Sequence, residues 1–419
     1  ASAGPGASAS DWDVATSALP AEVQALFPHT VPTGFEHGTV SVLTDDAKVE
    51  VTTFRADVET DGRRARVRFS EDIREDLARR DFTINALAYD PESRELCDPY
   101  HGREDLHARV LRPVGDARQR FAEDYLRILR GARFVARFGL AVGDDVRRAM
   151  SELAPGTRRL SGERVREELM KTLAQADAPS KALALLHETG VLAHLLPELE
   201  ACFGVGQNRW HADDVGVHTL HVVDEVPRNL PFLRMVALLH DIGKPSCKAW
   251  EPARDDFVFR GHAEAGAGLA AGVLERLHFP RRDIDRATHL VRVHMDLFPV
   301  EAGDAAVRRW LQRVGTGNVD DLFTLHYADW RGNLAKTSPP TELEFLHRRA
   351  RSVLADAKAL RLADLEINGD DLRSLGLAPG PRYAEILNEL LRRVIEDPRL
   401  NERERLLAAA RGLVAGTDA

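Results

Sequence analysis

The chain has 419 residues, and its 57 basic and 66 acidic side chains give a formal net charge of −9. At roughly 150 residues per domain, this length predicts two or three domains. A hydrophobic content of 44% and a charged content of 29% are typical of a globular protein. No stretch approaches the roughly 18 apolar residues of a membrane span, and no signal-peptide pattern opens the sequence, so a cytoplasmic protein without a membrane partner is expected.

A β-hairpin is predicted in the first part of the chain. The segment from Glu36 to Phe54 contains two β-rich runs split by Asp45-Asp46, which is typical of a hairpin with alternating faces. Residues 55–80 are crowded with charged side chains and show little apolar periodicity. They predict a long mobile loop that leads into a short charged helix.

The rest of the chain is predicted to be mainly helical. Strand-like segments lie near Glu95–Pro99 and Val110–Val114, and from Ala117 apolar residues recur at three- and four-residue spacing. Breaks at Ala176–Ser180 and Thr337–Pro340 interrupt this pattern. The fold class is therefore α+β, with a small β-sheet head and a long helical body, and the predicted domains are residues 1–115, 116–176, 177–337 and 338–419.

A pair of carboxylates precedes the hairpin. In an extended segment, Asp11 and Asp13 point to the same face and can converge on one point. Mg²⁺ is bound by one or two carboxylates together with substrate phosphate oxygens, so this pair predicts a magnesium site. Glu50, from the hairpin, is expected to be a third ligand or to orient the attacking hydroxyl. On spacing alone, a polar turn that caps the next helix explains the pair more often.

The segment RRDFTIN at residues 79–85 is predicted to bind a nucleotide. Its paired guanidiniums, including that of Arg80, can hold a triphosphate, and Asp81 can accept a hydrogen bond from a ribose hydroxyl. Asn85 in the same segment and Arg130 in the following helical segment complete this predicted site.

Asp124 and Arg127 lie three residues apart in a strongly helical segment and share a face. The carboxylate offers an acceptor and the guanidinium offers donors, a pattern that fits the base edges of cytosine and adenine. Uracil and guanine present the reverse order and leave buried polar groups unpaired. The alternative is an ordinary surface ion pair, which spacing alone favours.

Histidines with acidic partners occur together in the second half of the sequence. The set consists of His218, His240 with Asp241, His262, His294 and Asp329. Imidazoles combined with carboxylates bind transition ions such as Ni²⁺, Mn²⁺ or Co²⁺ more readily than Ca²⁺. His221 shares a helix face with His218 and is an alternative ligand. Taken singly, each histidine is more often a hydrogen-bonded structural residue.

Six segments, in order along the chain, resemble one enzyme family. They are DWDVATSA, HGTVSV, VEVTTFR, LARRDFTINALAYDP, RFAEDYLRILRGARF and LSGERVREEL. Between Asp11 and about Leu169 they are similar to the class II tRNA nucleotidyltransferases, which comprise the bacterial CCA-adding enzymes and their poly(A) polymerase relatives. The resemblance implies a template-independent polymerase with tRNA, CTP and ATP as partners. No protein partner is predicted.

The resemblance also implies roles for individual residues. Mg²⁺ would be held by Asp11 and Asp13. The incoming nucleotide would be contacted by Arg80 and Asp81. The choice of CTP or ATP would be made by Asp124 and Arg127. Glu163 and Arg164 would brace the base-reading helix. Arg55–Glu71 would be the flexible loop that helps the switch from C to A addition.

Basic residues of the helical neck are expected to follow a tRNA acceptor stem through its shape and its phosphates. The predicted RNA-binding residues are Arg133, Arg137, Arg158, Arg159 and Arg164. Each basic stretch taken singly is equally typical of a solvated helix face.

The region from about His218 to Asp329 resembles the HD superfamily of metal-dependent phosphohydrolases. This resemblance implies that the metal ligands are His218, His240, Asp241 and Asp329. It also implies that phosphate or a second ion contacts His262 and His294. A metal there would lower the pKa of a bound water and supply a nucleophile for phosphoester hydrolysis. Hydrolysis of cyclic phosphates and 2′-phosphates is implied by the same resemblance.

One departure from the family leaves alternatives open. Class II members carry a Gly-Gly-x-x-Arg-Asp segment just before the Asp-x-Asp, where this chain has only the small residues of ASAGPGASAS. Either the protein continues upstream, or the head polymerises poorly while HD hydrolysis survives. The alternative functions are a poly(A) polymerase, a CC- or A-adding enzyme, and a phosphohydrolase whose head only binds RNA.

Overall fold

The computed structural model describes residues 13–34, 38–45, 47–60 and 65–415. The chain divides into two compact units, Ala1–Pro197 and Glu198–Ala419. The first unit contains a small sheet followed by helices, and the second is almost entirely helical, so the α+β prediction is confirmed.

A four-stranded mixed sheet opens the first unit, with the strand order β1-β4-β3-β2. The strands are β1 (Asp13–Thr16), β2 (Thr30–Gly34), β3 (Thr39–Leu43) and β4 (Lys48–Thr53), and helix α1 (Pro20–Leu26) follows β1. β1 runs parallel to β4, whereas β3 and β4 form the antiparallel hairpin predicted from the sequence. Val40 and Val42 alternate along β3 and pack with Val51 and Val23 of α1, which gives the sheet its apolar core.

The predicted mobile loop at residues 55–80 is wrong. Strands β5 (Arg55–Thr60) and β6 (Ala65–Phe69) pair in an antiparallel ribbon, and only the short charged helix α2 (Ile73–Ala78) follows as predicted. A two-stranded ribbon satisfies its backbone groups by cross-strand hydrogen bonds and does not need a buried face. Apolar periodicity therefore gives no signal for it.

The remainder of the first unit is a group of packed helices with two short strand pairs, β7-β8 and β9-β10, among them. Its elements are β7 (Ala88–Tyr89), β8 (Leu96–Cys97), α3 (Gly102–Ala108), β9 (Val110–Leu111), α4 (Ala117–Glu123), α5 (Leu126–Phe138), β10 (Ala141–Val142), α6 (Asp144–Leu153), α7 (Gly162–Gln175), α8 (Ser180–Glu188) and α9 (Leu192–Leu195). Helix α5 packs against both α7 and α8. Phe82 and Phe134 meet edge to face at 5.7 Å between ring centroids, and this contact anchors α5 to the segment after α2.

The second unit consists of helices and one short hairpin. Its elements are α11 (Val215–Glu225), α12 (Pro231–Leu239), α13 (Lys244–Cys247), β11 (Ala249–Glu251), β12 (Asp256–Val258), α14 (His262–Arg276), α15 (Arg281–Val293), α16 (Asp304–Val314), α17 (Val319–Gly332), α18 (Thr341–Asp356), α19 (Gly369–Ser374), α20 (Pro381–Glu396) and α21 (Arg403–Ala415). Helix α11 packs on α17, and α14 packs on α15. Trp310 and Phe323 lie at the centre of the apolar core formed by α16 to α21.

The breaks predicted near Ala176–Ser180 and Thr337–Pro340 fall between helices, whereas the two compact units divide at Pro197, where the short helix α10 (Pro197–Glu200) begins. Single helical turns connect several elements, at Thr83–Asn85, Ala154–Arg159, Thr316–Asn318, Leu362–Asp364 and Pro398–Leu400. Among the described residues, every helix is too short or too polar to cross a membrane.

Two candidate active sites

The first candidate site begins at the edge strand of the head sheet. Asp13 on β1 and Glu50 on β4 are register partners in two parallel strands. Partners in neighbouring strands project to the same face, so the two carboxylates are neighbours. Both side chains are exposed, and Glu50 Oε1 lies 3.4 Å from Lys48 Nζ. The structure thus brings two of the three predicted carboxylates together, while Asp11 lies outside the described residues.

Asp81 joins three residues of the predicted nucleotide site. Its Oδ2 accepts a hydrogen bond from Arg130 Nε at 2.6 Å, and its Oδ1 accepts from Asn85 Nδ2 at 3.1 Å. The backbone N–H of Phe82 also donates to Oδ1. Asp81 is buried, and these contacts fix the orientation of its carboxylate.

Arg80 is held by Asp76, an acidic residue that the sequence analysis did not select. Asp76 is 1% exposed, and its two oxygens accept from Arg79 Nη2 at 2.7 Å and from Arg80 Nη2 at 3.0 Å. Burial alone raises the pKa of Asp76, but the two guanidiniums outweigh burial and hold that pKa below its ordinary value. The three- and four-residue spacing within α2 was the available signal for this contact.

Asp124 and Arg127 each bind a different partner. Asp124 Oδ2 accepts from Arg164 Nη2 at 2.7 Å, and its Oδ1 accepts from the backbone N–H of Leu126. Arg127 Nη1 donates to Glu123 Oε2 at 2.6 Å. Both predicted base-reading side chains are therefore half-buried and fixed by charged neighbours. Glu123, the last residue of α4, was missed. Asp124 is extended between α4 and α5, so the prediction that Asp124 and Arg127 share one helix face is wrong.

The prediction that Arg133 contacts RNA is corrected by the structure. Its side chain is 6% exposed, and its Nε donates to Glu168 Oε2 at 2.7 Å. The guanidinium is thus buried between α5 and α7 and does not reach the surface, as contact with RNA would require. Arg137, Arg158 and Arg159 are exposed, as the prediction requires. Arg164, half-buried, instead contacts Asp124.

The second candidate site lies in the second unit, where three imidazoles share one local geometry. Nδ1 of His240 is 2.6 Å from Ala237 O, Nδ1 of His262 is 2.7 Å from Phe259 O, and Nδ1 of His294 is 2.6 Å from Val291 O. A carbonyl oxygen only accepts hydrogen bonds, so Nδ1 carries the proton in each ring. In the neutral form of each ring, Nε2 is then left with a lone pair, and this form binds a metal.

The Nε2 atoms of His218 and of these three histidines lie near two carboxylates. His218 Nε2 is 2.9 Å from Asp329 Oδ1, and His240 Nε2 lies 3.8 Å from the same oxygen. Asp241 Oδ1 is 3.5 Å from His262 Nε2 and 3.6 Å from His294 Nε2. The six predicted residues therefore form two adjacent groups, namely His218, His240 and Asp329, and Asp241, His262 and His294.

Close backbone packing places the second group. The apolar helix α12 is buried and delivers His240 and Asp241 at its end. A Cβ on Gly243 would lie 2.2 Å from the carbonyl oxygen of His262, so only glycine allows α14 to begin this near the His-Asp pair. His221, the alternative ligand, is 3.8 Å from Asp213 and lies outside both groups.

Burial and charge act in opposite directions on these groups. Burial alone raises the pKa of Asp329, but the hydrogen bond from His218 outweighs it, and the pKa lies below its ordinary value. Burial is likewise outweighed at Asp241, where His240 and Lys244 hold the pKa well below the usual range. At His262 burial is the largest effect and lowers the pKa. Both carboxylates are thus ionised and His262 is neutral, as metal ligation requires.

The donor set fits a divalent transition ion. Nε2 of His240 is buried, and Asp241 Oδ2, 3.1 Å away, does not meet hydrogen-bond geometry, so among the described residues this nitrogen has no well-aligned partner. Leaving such an atom unsatisfied costs free energy, which a metal bond would recover. Imidazole nitrogens mixed with carboxylate oxygens suit Zn²⁺, Ni²⁺, Mn²⁺ or Co²⁺ better than Ca²⁺. A cavity of about 620 Å³ opens onto five of the six residues.

Lys244 is a further residue of this site that the sequence analysis missed. Its Nζ lies 2.6 Å from Asp241 Oδ2 and donates to Gln207 Oε1 at 2.8 Å. Its place three residues after Asp241, at the start of α13, was the available signal. Trp210 and His211 also line the cavity, and their loop has no periodicity that marks them.

Comparison with known proteins finds family matches for the regions that contain both candidate sites. Residues 5–112 match the family described as the poly A polymerase head domain, residues 139–203 match the probable RNA and SrmB-binding site of polymerase A, and residues 209–364 match the HD domain. These matches define a nucleotidyltransferase that carries an HD domain. Divalent metal use is a property of both families.

Relatives cover nearly the whole chain. The CCA-adding enzyme of Geobacillus stearothermophilus is 32% identical over 402 residues, which are 95% of this chain and 87% of that protein. The A-adding tRNA nucleotidyltransferase of Deinococcus radiodurans is 36% identical over 331 residues, 76% of this chain and 74% of that protein. The multifunctional CCA protein of Burkholderia ambifaria is 39% identical over 314 residues, 69% and 73% of the two chains.

Solved structures agree with the sequence relatives. The crystal structure of the Bacillus stearothermophilus CCA-adding enzyme in complex with CTP has a TM-score of 0.71 and 29% identity, covering 98% of this chain and 90% of that one. The Thermotoga maritima CCA-adding enzyme complexed with tRNA, at 21% identity, 97% and 87% coverage and a TM-score of 0.53, shares the fold. The chain therefore belongs to the class II tRNA nucleotidyltransferases, the family of the CCA-adding enzymes.

Proposed function

We propose that this chain adds C and A nucleotides to the 3′ end of tRNA from CTP and ATP, without a nucleic-acid template. The observation that carries the proposal is the register pairing of Asp13 with Glu50, which sets two carboxylates side by side on one sheet face. Such a pair binds a hard cation that also takes phosphate oxygens. Membership of the CCA-adding family supports the substrate assignment. A cytoplasmic location is part of this proposal.

Asp11, Asp13 and Glu50 hold Mg²⁺ in this proposal. When bound, Mg²⁺ stabilises the charge that develops on the triphosphate. Arg80 contacts the phosphates, and Asp76 orients its guanidinium from below. Asp81 accepts a hydrogen bond from the ribose, with its carboxylate positioned by Asn85 and Arg130.

Base selection is assigned to Asp124 and Arg127. Asp124 accepts from the exocyclic amino group of cytosine or adenine, and Arg127 donates to the adjacent ring nitrogen. Arg164 fixes Asp124, and Glu123 fixes Arg127, so neither side chain is free to adapt to uracil or guanine. Rigid, half-buried groups discriminate strongly, because a mismatched base leaves them unpaired.

The exposed arginines of the first unit are proposed to contact the tRNA phosphates. Those predicted to do so are Arg137, Arg158 and Arg159 of the helical neck, and Arg164 adds a partly exposed guanidinium. Arg133 supports this surface only through its buried contact with Glu168. Such contacts read the shape of an acceptor stem and depend on salt concentration.

Nucleotide addition is tested on a tRNA that ends at the base before CCA. Asp13→Asn is expected to abolish extension, because it removes a metal-binding charge. Asp45→Asn, in the exposed turn of the β3-β4 hairpin, is the matched control, and this variant should extend the tRNA normally. Equal activity of the two variants would overturn the metal-site assignment. Product lengths also separate CCA addition from poly(A), CC-only or A-only addition.

A second activity, metal-dependent phosphoester hydrolysis, is proposed for the histidine cluster. The converging Nε2 atoms of His240, His262 and His294 favour it. His218, His240, Asp241 and Asp329 would hold a Ni²⁺, Mn²⁺ or Co²⁺ ion, which when bound supplies an activated water. His262 and His294 would contact the substrate phosphate or a second ion.

Hydrolysis is tested with 2′,3′-cyclic nucleotides in the presence of each metal. The double variant His240→Ala with Asp241→Ala is expected to lose hydrolysis and to keep nucleotide addition, because the two sites use different ligands. His221→Ala, a histidine outside the cluster, is the matched control. Loss of both activities in a folded double variant would contradict separate sites. If neither the unaltered chain nor any variant hydrolyses these substrates with any of the metals, the second proposal is refuted.

A further inference from the structure

Trp210 has an exposed indole on a loop whose backbone is firmly held. Trp210 is 69% exposed. Its backbone carbonyl oxygen nevertheless accepts a hydrogen bond from Nδ2 of the buried Asn333 at 3.0 Å. The preceding residue, Arg209, donates to Asp256 Oδ2 at 3.0 Å and to the backbone oxygen of Arg254 at 2.7 Å. The loop is thus tied to the β11-β12 hairpin and to the segment after α17.

An indole that contributes nothing to the core but stands on a fixed loop is unusual for a folded chain. Tryptophan is normally buried to a large extent, and large exposed apolar groups beside a pocket mark binding sites. Trp210 lines the same cavity as His240, Asp241 and Asp329, and Met295, which is 64% exposed, lines it too. The rim of the cavity therefore offers an apolar surface close to the hydrolytic residues.

Cations accompany this apolar surface. Lys244, Arg254, Arg260 and Lys336 line the cavity. Lys336 forms no ion pair within the part of the chain that the structure describes, and its Nζ lies 4.3 Å from the centre of the Trp330 ring. These cations favour an anionic ligand such as a phosphate ester.

We propose that Trp210 is the platform on which the nucleobase of the substrate stacks in this cavity. The inference rests on the proposed hydrolytic function of the same cavity and adds one binding residue. Every base has a flat π face, so an indole platform accepts any base. In the reaction, water adds to phosphorus, the bond from phosphorus to one ribose oxygen breaks, and that oxygen takes up the proton.

The decisive comparison uses two esters with the same five-membered ring. The probes are 2′,3′-cyclic CMP and glycerol 1,2-cyclic phosphate, which lacks a base. For the unaltered chain we expect a higher kcat/KM for the nucleotide. Trp210→Ala should lower the ratio of the two kcat/KM values by roughly 5- to 150-fold, chiefly through KM, and Trp210→Phe should restore most of it.

Trp250→Ala is the matched control, because Trp250 is 52% exposed on β11 but is not among the described residues that line the cavity. It should leave the ratio unchanged. An unchanged ratio in folded Trp210→Ala would overturn the base platform and leave hydrolysis intact.

A binding measurement separates failure of the platform from failure of hydrolysis. Titration calorimetry compares 3′-CMP with inorganic phosphate on the unaltered chain and on Trp210→Ala, and the difference between the two proteins cancels any binding at the first site. Weaker 3′-CMP binding with unchanged phosphate binding supports the platform even if neither ester is hydrolysed. Equal 3′-CMP binding by both proteins overturns it.

Discussion

Arg164, in the first turn of α7, donates from Nη2 to Oδ2 of Asp124 at 2.7 Å, across 40 residues of sequence. Asp124 stands between α4 and α5, where its other oxygen accepts from the backbone of Leu126. The carboxylate is therefore held in one orientation before any nucleotide binds. A fixed acceptor discriminates between bases because it cannot turn to serve as a partner for the wrong one.

Asp124→Ala should relax selection against UTP and GTP. The loss of one good bidentate partner corresponds to about 1–3 kcal/mol of discrimination. Relative incorporation of the four nucleotides into tRNA measures the effect. Arg164→Ala should relax the same selection to a smaller extent, whereas Arg148→Ala, an exposed arginine on α6, should not. Unchanged selectivity in a folded Asp124→Ala protein would remove Asp124 from base reading.

The Arg133–Glu168 pair should contribute strongly to stability. Both side chains are nearly fully buried, so removing one leaves the other charge uncompensated. Arg133→Ala is expected to lower the free energy of unfolding by about 3–5 kcal/mol. Urea denaturation gives the value, and Arg148→Ala should stay within about 0.5 kcal/mol of the unaltered chain. A cost below about 1 kcal/mol would show that Lys171, 3.5 Å from Glu168, compensates the charge.

Asp76 should make the stability of the first unit depend on pH. Because its pKa in the folded chain lies below the ordinary 3.8, its ionised form adds stability at pH values above 3.8. That stability is lost as the pH falls through the lower, folded pKa. The Tm difference between the unaltered chain and Asp76→Asn should therefore be largest near neutral pH and shrink below about pH 4. A Tm difference that does not vary with pH would contradict this linkage.

Metal removal should destabilise the second unit specifically. A ligand present at a hundred times its dissociation constant adds about 2.7 kcal/mol to folding. Adding Ni²⁺, Mn²⁺ or Co²⁺ to chelator-treated protein should raise Tm, and His240→Ala should remove that rise. His221→Ala is the control that should retain it. An equal rise in Tm for His240→Ala would place the metal elsewhere.

Local sequence patterns were sufficient for some features of this protein. Asp45-Asp46 between two β-rich runs predicted the β3-β4 hairpin, and the three- and four-residue apolar spacing from Ala117 predicted the helical body. The six histidine-site residues were predicted as one set that resembles the HD superfamily, and folding brings them together from segments up to 111 residues apart. The types and local positions of these residues could therefore be read from the sequence. The contacts between them depend on the tertiary fold.

Other features left no local signal. Arg133 has the same spacing as its exposed neighbours, and only the packing of α7 on α5 buries it against Glu168, 35 residues away. The β5-β6 ribbon pairs through its backbone, and its charged sequence shows no hydrophobic periodicity that would mark it. Trp210 lies in an irregular loop, where exposure and distance to the cavity are tertiary properties.

The most direct test of nucleotide addition supplies a tRNA that ends before CCA with CTP alone, ATP alone or both. Product lengths are read on a sequencing gel. The account predicts extension by CC with CTP alone, no extension with ATP alone, and extension by CCA with both. Extension with ATP alone, a long A tail, or a product that stops at CC when both nucleotides are present would contradict it.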